Sequence, residues 1–377
     1  MKKKLALALA TVMMLGVCAG CGPKDTPSTS GSGNISSSQS VASELKAAVF
    51  YYNFADPYIT TVRTAMDKEL KELGIEHQNF DAQTNQGLQT DQVNTAITDG
   101  YNLLIINVVD NAAPDAAQAM VNAAKEKGIP VILFNREVDN SVIESYDKAA
   151  FVGTDAPEAG HMQGKMVGDY LIKNWDAVDL NKDGKISYVM FKGQEGNAEA
   201  EARTQFGVED ANKVLEENGK PALEFYDSKN TQKYLVDTNG AWSSQAATDY
   251  MSVIMGEYND ANNNMVELVI ANNDGMALGA ITALQEKGYN KDGAHVVPVF
   301  GVDAIDDAKV KISEGSLAGT IMQDADGLAT AIAEIISGVQ GGASLKDAAA
   351  GIKDERISAD PECATKVYVA YAPYTGE

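Results

Sequence analysis

A continuous apolar run that stops abruptly in amides and carboxylates constrains this chain more than any other feature. Met265–Ala280, MVELVIANNDGMALGA, is the clearest case. Val266–Ala271 reads as a strand buried on both faces, as in a parallel sheet covered by helices. Asn272, Asn273 and Asp274 follow at its C-terminal end, where open α/β sheets place their ligands. Asp274 is also placed to cap the helix that follows. Glu267 stands out as a carboxylate near the start of a buried strand, a position that demands a partner, often a metal.

The pattern recurs along the chain. Ala47–Tyr52, Leu103–Val109, Ile129–Phe134, Ala150–Gly153, Ile186–Phe191, Leu223–Tyr226, Val297–Val302 and Gly319–Met322 read as further strands. Helical patterns lie between them, with Val62, Met66, Leu70 and Leu73 on one face of the first. This βαβα order predicts an α/β fold with parallel sheets, and so many strands divide between two lobes.

The chain has 377 residues and a formal net charge of −23. That balance argues against nucleic acid and against anionic lipid as partners. Lys2–Lys4, the apolar run Leu5–Val17 and then Ala19-Gly20-Cys21 predict a secretory signal, too short to span a membrane. Cysteine directly after Ala-Gly resembles a bacterial lipobox, which implies cleavage after residue 20 and a lipid on Cys21. Cys18 stands where that motif usually carries Leu. With Cys21 acylated, Cys363 is left as a single thiol. Residues 21–45, rich in Ser, Thr, Gly and Pro, read as a flexible tether.

The strand ends share a chemistry. Asn53, Asp56 and Tyr58 follow the first; Asn107 and Asp110 the next; Asn135, Arg136 and Glu137 another. Thr154 and Asp155, Lys192–Asn197, Asp303, and Gln323 with Asp324 end the others. Each alone suits a cap or turn. Together they describe a cleft of carboxylates, amides and arginines, which suits a neutral polyol whose hydroxyls both donate and accept. Tyr58 and Trp242 are candidate plates for the apolar face of a sugar. Separately, Asp179–Ser187, DLNKDGKIS, has the oxygen spacing of a calcium loop. Asp179, Asn181 and Asp183 take positions 1, 3 and 5, Gly184 position 6, the Lys185 carbonyl position 7 and the Ser187 hydroxyl position 9. Position 12, where an EF-hand carries Glu, is Met190.

From about Lys46 onward the chain resembles the bacterial galactose/glucose-binding proteins, type I periplasmic binding proteins of sugar ABC transporters. The motifs are LIINVVDNAA, PVILFNRE, SYDKAAFVGTD, DLNKDGKIS, EAEART, VIANNDGMALGA, VPVFGVDA and GSLAGTIMQDA. The resemblance implies two Rossmann-like lobes joined by three crossing segments, near Gly128–Val131, Met322–Asp324 and Val369–Tyr371. It places residues 46–129 with 324–368 in the N-terminal lobe, and 130–323 with 369–377 in the C-terminal one. It puts sugar stacking on Tyr58 and Trp242, and polar contacts on Asp56, Asn107, Arg203, Asn273 and Asp303. Three contact positions depart from the family: Asn197 replaces a histidine, Glu199 an aspartate and Gln323 an asparagine. It also supplies the missing carboxylate of a structural Ca2+ site from Glu267.

The expectation is therefore a monomeric lipoprotein held at the outer face of the cytoplasmic membrane. It would bind D-glucose or D-galactose and deliver it to an ABC transporter permease, with a chemoreceptor as a further candidate partner. A pentose or a signalling furanose is the alternative ligand. His77, His161 and His295 are isolated, and no HExxH, GxSxG or P-loop is present, which leaves an enzyme poorly supported. A repressor of the same fold would need a basic N-terminal helix-turn-helix, where this chain has a signal and a tether.

Overall fold

The computed structural model describes residues 45–291 and 293–376. The signal, Cys21 and the tether up to residue 44 lie outside the described residues.

β1 (Lys46–Tyr51), β2 (Glu76–Asp81), β3 (Leu103–Ile106), β4 (Val131–Asn135) and β5 (Ala149–Gly153) alternate with helices and belong to one sheet. β6 (Ser187–Lys192), β7 (Glu224–Phe225), β8 (Leu235–Val236), β9 (Leu268–Ala271), β10 (Val299–Asp303) and β11 (Gly319–Met322) belong to a second. The chain then returns: β12 (Ile357–Ala359) and β13 (Lys366–Val369) extend the first sheet, and β14 (Ala372–Tyr374) the second. The first sheet runs β12-β13-β5-β4-β3-β1-β2, the second β14-β11-β10-β9-β6-β7, with β8 also on β6. Among the described residues, only β12–β13 and β11–β14 pair antiparallel.

Side-chain alternation explains the apolar runs. Ala47, Val49 and Tyr51 of β1 join one apolar layer, while Ala48 and Phe50 join the layer on the other face. β3 and β4 split in the same way, so these strands are buried on both sides. β2, EHQNFD, sits at the sheet edge and is half exposed, so it needs no apolar run.

Two sheets make two lobes, and the structure corrects the lobe boundary. Residues 130–153 belong to the first lobe, because β4 pairs with β3 and β5 with β4. The first crossing is therefore not at Gly128–Val131. It lies at Thr154–Asp155, between β5 and the helix Ala156–Val178. The other crossings lie at Gln323–Asp324, after β11, and at Ala370–Tyr371, between β13 and β14.

In the second lobe the helix Ala156–Val178 packs closely on the helix Ala198–Glu217. Gly160, Gly164 and Gly168 form the contact stripe, four residues apart. A Cβ on Gly160 would lie 2.6 Å from the Ala202 carbonyl oxygen, and one on Gly164 2.4 Å from that of Phe206.

Candidate functional site

Between the C-terminal strand ends of the two sheets lies a cavity lined from both lobes. The first lobe lines it with Tyr52, Asp56, Tyr58, Ile59, Asn135 and Arg136. The second contributes Asn197, Glu199, Arg203, Trp242, Asn273 and Asp303, and Gln323 comes from a crossing segment.

Local structure fixes most of these side chains. Asp56, Asn197 and Asn273 are N-caps, accepting from the backbone N–H groups of Ile59 (3.1 Å), Ala200 (3.0 Å) and Met276 (2.9 Å). The cap of the helix Asp274–Glu286 is thus Asn273 and not Asp274, as the sequence suggested. The Asp274 carboxylate turns inward. It accepts from the Thr320 hydroxyl at 2.7 Å and the Ile305 N–H at 3.0 Å. Those bonds brace a turn in which Asp303 (φ 125°) and Ala304 (φ 56°) both have positive φ. Burial raises the Asp274 carboxyl to about 7. Trp242 also has positive φ, 55°, and its indole lies over Gly193, where a Cβ would come within 2.1 Å of the ring. Only a glycine leaves that space.

Charge in the cavity is buried and only partly compensated. Burial pushes the Asp303 carboxyl well above the usual range, against the opposing pull of Arg203. Burial likewise raises Asp56 and Glu199. Tyr52 donates its hydroxyl to Asp56, and the Arg136 guanidinium stacks on the Tyr52 ring at 3.4 Å. Arg203 donates to the Asn272 carbonyl (2.9 Å), Gln323 Oε1 (3.1 Å) and the Tyr371 hydroxyl (2.9 Å). It makes no ion pair with Asp303 among the described residues.

Five buried polar atoms of the lining have no hydrogen-bond partner among the described residues: Tyr58 Oη, Arg136 Nη2, Arg203 Nε, Trp242 Nε1 and Gln323 Nε2. An unpaired buried donor costs about 1–3 kcal/mol. Five around one cavity describe a site that a ligand rich in oxygen would complete.

Nine of the ten residues expected to contact sugar therefore line one cavity. Asn107 does not. Its amide accepts from the Tyr52 N–H (3.2 Å) and donates to Asn135 Oδ1 (3.0 Å) and the Phe134 carbonyl (3.3 Å), all within the first lobe. It holds two lining residues in place from behind. Tyr52, Ile59, Asn135 and Arg136 join the lining instead. Asn135 and Arg136 were visible in the sequence as strand-end residues; Tyr52 and Ile59 carried no separate signal.

The Asp179–Ser187 loop lies at the other end of the second sheet, before β6. Gly184 has φ 81° and donates its N–H to Asp179 Oδ2 at 3.0 Å. Glu267 draws the loop together, accepting from the N–H groups of Leu180 (2.8 Å) and Ser187 (2.9 Å). The Ser187 hydroxyl donates to the Met265 carbonyl at 2.6 Å, and Lys185 pairs with Glu224. Asp179 Oδ1 is buried without a partner, and the donors are hard oxygens, which suits a calcium ion. Among the described residues no group of three or more His, Cys, Asp or Glu side chains is gathered as a metal site. The loop is held closed by Glu267 through its own hydrogen bonds.

Comparison with known proteins decides the family. The model of the periplasmic binding protein domain matches residues 47–344. The chain belongs to the periplasmic binding protein family. The D-galactose/methyl-galactoside binding periplasmic protein MglB of Haemophilus influenzae is 35% identical over 83% of this chain and 86% of its own length. A putative rhizopine-binding protein of Rhizobium meliloti is 30% identical over 73% of this chain and 77% of its own. Among solved structures, an ABC transporter solute-binding protein of Bacillus halodurans with bound myo-inositol superposes with a TM-score of 0.63. It shares 24% identity and covers 88% of this chain and 95% of that one. These relatives are binding proteins, not enzymes.

Within this periplasmic binding protein, direct bonds join the two lobes across the cleft. Glu199 Oε1 accepts from the Glu137 N–H at 2.8 Å, and Asn197 Nδ2 donates to Asn111 Oδ1 at 2.9 Å. Glu199, read from the resemblance as a sugar contact, thus also reaches the opposite wall.

Proposed function

We propose that this periplasmic binding protein captures a neutral monosaccharide, D-galactose or D-glucose, and presents it to the permease of an ABC transporter outside the cytoplasm. The five unpaired polar atoms contributed from both walls carry this reading. Four of them are N–H groups, and a sugar's oxygens offer the acceptors they lack. Asp56, Asp303, Tyr58 and Trp242 all lie in the lining, where the two carboxyls would accept from its hydroxyls and the two rings would serve as apolar plates. A ligand touching both walls favours the closed arrangement by its differential affinity. The similarity to a galactose-binding protein points the same way.

A second polyol class has support of its own. Glu199 accepts on both oxygens from the opposite wall, from the Glu137 N–H at 2.8 Å and the Asn111 amide at 3.4 Å, so the wall differs where a shorter aspartate would stand. That alteration favours a shifted preference, towards a pentose, a furanose or an inositol, and the relatives named above bind differing ligands. Calorimetry with D-galactose, D-glucose, ribose, xylose, arabinose and myo-inositol separates the readings. One hexose bound per chain, without turnover, is expected. Heat from a pentose or inositol and none from either hexose would overturn the hexose assignment.

Two further assignments belong to the same proposal. A calcium ion would be held by Asp179, Asn181, Asp183, the Lys185 carbonyl, Ser187 and Glu267, where it would stabilise the second lobe without joining in sugar binding. A lipid on Cys21 would anchor a monomeric chain at the membrane surface, within reach of the permease and of any chemoreceptor. Cys21→Ala should move the protein from the membrane fraction to the soluble one, and equal partitioning would refute the anchor.

A further inference from the structure

Three segments cross between the lobes, and one guanidinium touches two of them directly. Arg203 Nη2 donates to Gln323 Oε1 in the crossing after β11, at 3.1 Å. It also donates to the Tyr371 hydroxyl in the crossing between β13 and β14, at 2.9 Å. The Tyr371 hydroxyl is in turn bonded to the Thr154 hydroxyl, in the crossing after β5, at 2.7 Å. All four side chains are buried, between 1% and 4% exposed. Arg203 itself lines the cavity, and its Nε is buried without a partner among the described residues.

We infer that Tyr371, oriented by Thr154, is a positioning residue for Arg203 and ties the occupied cavity to all three crossings. The inference rests on the sugar-binding reading above. Its physical basis is geometric. Arg203 spends Nη1 on the Asn272 carbonyl, which fixes one edge of the guanidinium to the second lobe. The other edge is fixed only by groups in crossing segments, whose backbone must twist when the lobes part. Opening therefore displaces the acceptors that hold Arg203. A ligand that accepts from Nε holds the guanidinium in the orientation that keeps those bonds. Tyr371 does not line the cavity, and the hydrogen bond that connects it to a lining residue is the one from Arg203.

Tyr371→Phe and Thr154→Val each remove only a hydroxyl or its equivalent. Sugar affinity would be measured by calorimetry for both, for Thr154→Ser, for Arg203→Met, and for Arg203→Met with Tyr371→Phe. Inter-lobe distance, free and saturated, would be followed by small-angle scattering. Tyr371→Phe should weaken binding about ten- to a hundredfold, as expected for one hydrogen bond to a charged group. Thr154→Val should weaken it less, and Thr154→Ser should restore it. The double variant should bind no more weakly than Arg203→Met alone, because Tyr371 then has nothing left to position. The free Tyr371→Phe protein should be more open than wild type. Wild-type affinity in Tyr371→Phe, or an effect that simply adds to that of Arg203→Met, would overturn the positioning role alone. A wild-type chain that binds no sugar of the panel would overturn the functional reading and this role with it.

Discussion

The cleft at the C-terminal end of β10 and the Asp179–Ser187 loop before β6 use the same amides and carboxylates, yet their unpaired atoms differ in kind. In the cleft these are donors in four cases of five, on Arg136, Arg203, Trp242 and Gln323. In the loop the atom is an acceptor, Asp179 Oδ1. Unpaired donors ask for an oxygen-rich neutral ligand, and an unpaired carboxylate oxygen asks for a cation. The two regions also differ in what closes them. The cleft closes across two lobes, through Glu199 and Asn197. The loop closes within one lobe, through Glu267. A ligand of the first can change the shape of the molecule, and a ligand of the second can only stiffen it.

The comparison breaks most readily at Asp303. Asp303→Asn removes a buried carboxylate from the ligand's side while keeping its shape. A hydrogen bond to a charged group is worth roughly 1.5–3 kcal/mol, so sugar affinity should fall about ten- to a hundredfold. The calcium dependence of melting should stay as in wild type. Undiminished affinity would mean that Asp303 is structural, like Asn107.

Glu267→Gln tests the other side. It replaces the carboxylate that gathers the N–H groups of Leu180 and Ser187. Stability should fall by roughly 1–3 kcal/mol, a few degrees of melting temperature in a chain of this size, with sugar affinity within about twofold of wild type. Chelation should lower the melting temperature of wild type and leave the variant nearly unmoved, since an ion bound only by the folded state stabilises it. Insensitivity of wild type to both calcium and chelator would leave the loop as a bare turn closed by Glu267.

The smallest effect is expected where the cleft meets its support, at Asp274. Its folded value of about 7 lies above the ordinary 3.8. Its contribution to stability is therefore complete below the unfolded value and is lost as pH rises through about 7. The melting temperature of wild type minus that of Asp274→Asn should fall by about a few degrees at most between pH 4 and 8. A difference that stays flat, or that rises with pH, would show that Asp274 does not titrate there.

Much of this was legible in the sequence, for a definite reason. Strands buried on both faces leave unbroken apolar runs, so β1, β3, β4, β9, β10 and β11 announce themselves. β2 lies at an edge with water beside it and carries no such run. The misplaced first crossing has the same origin. A buried parallel strand looks alike in either sheet, and nothing in VILFN or AAFVG says which neighbour it will pair with. Strand-end chemistry located the cleft, because caps and ligand contacts draw on the same residue types. It could not say which amide would face inward. Asn107 and Asn135 end neighbouring strands, and the first holds the second in place. The bracing role of Asp274 was hidden for a similar reason, since its partners Thr320 and Ile305 lie more than thirty residues away.

The glycine stripe on the helix Ala156–Val178 gives the binding wall its dimensions. Asn197, Glu199 and Arg203 all ride on the neighbouring helix or at its cap, and that helix sits as deep as it does because Gly160, Gly164 and Gly168 present bare backbone to it. A methyl group on any of them would push the neighbour outward and carry those three polar groups with it, none of them altered. The gap into which a ligand must fit is gauged, on this side, by three carbon atoms that are not there.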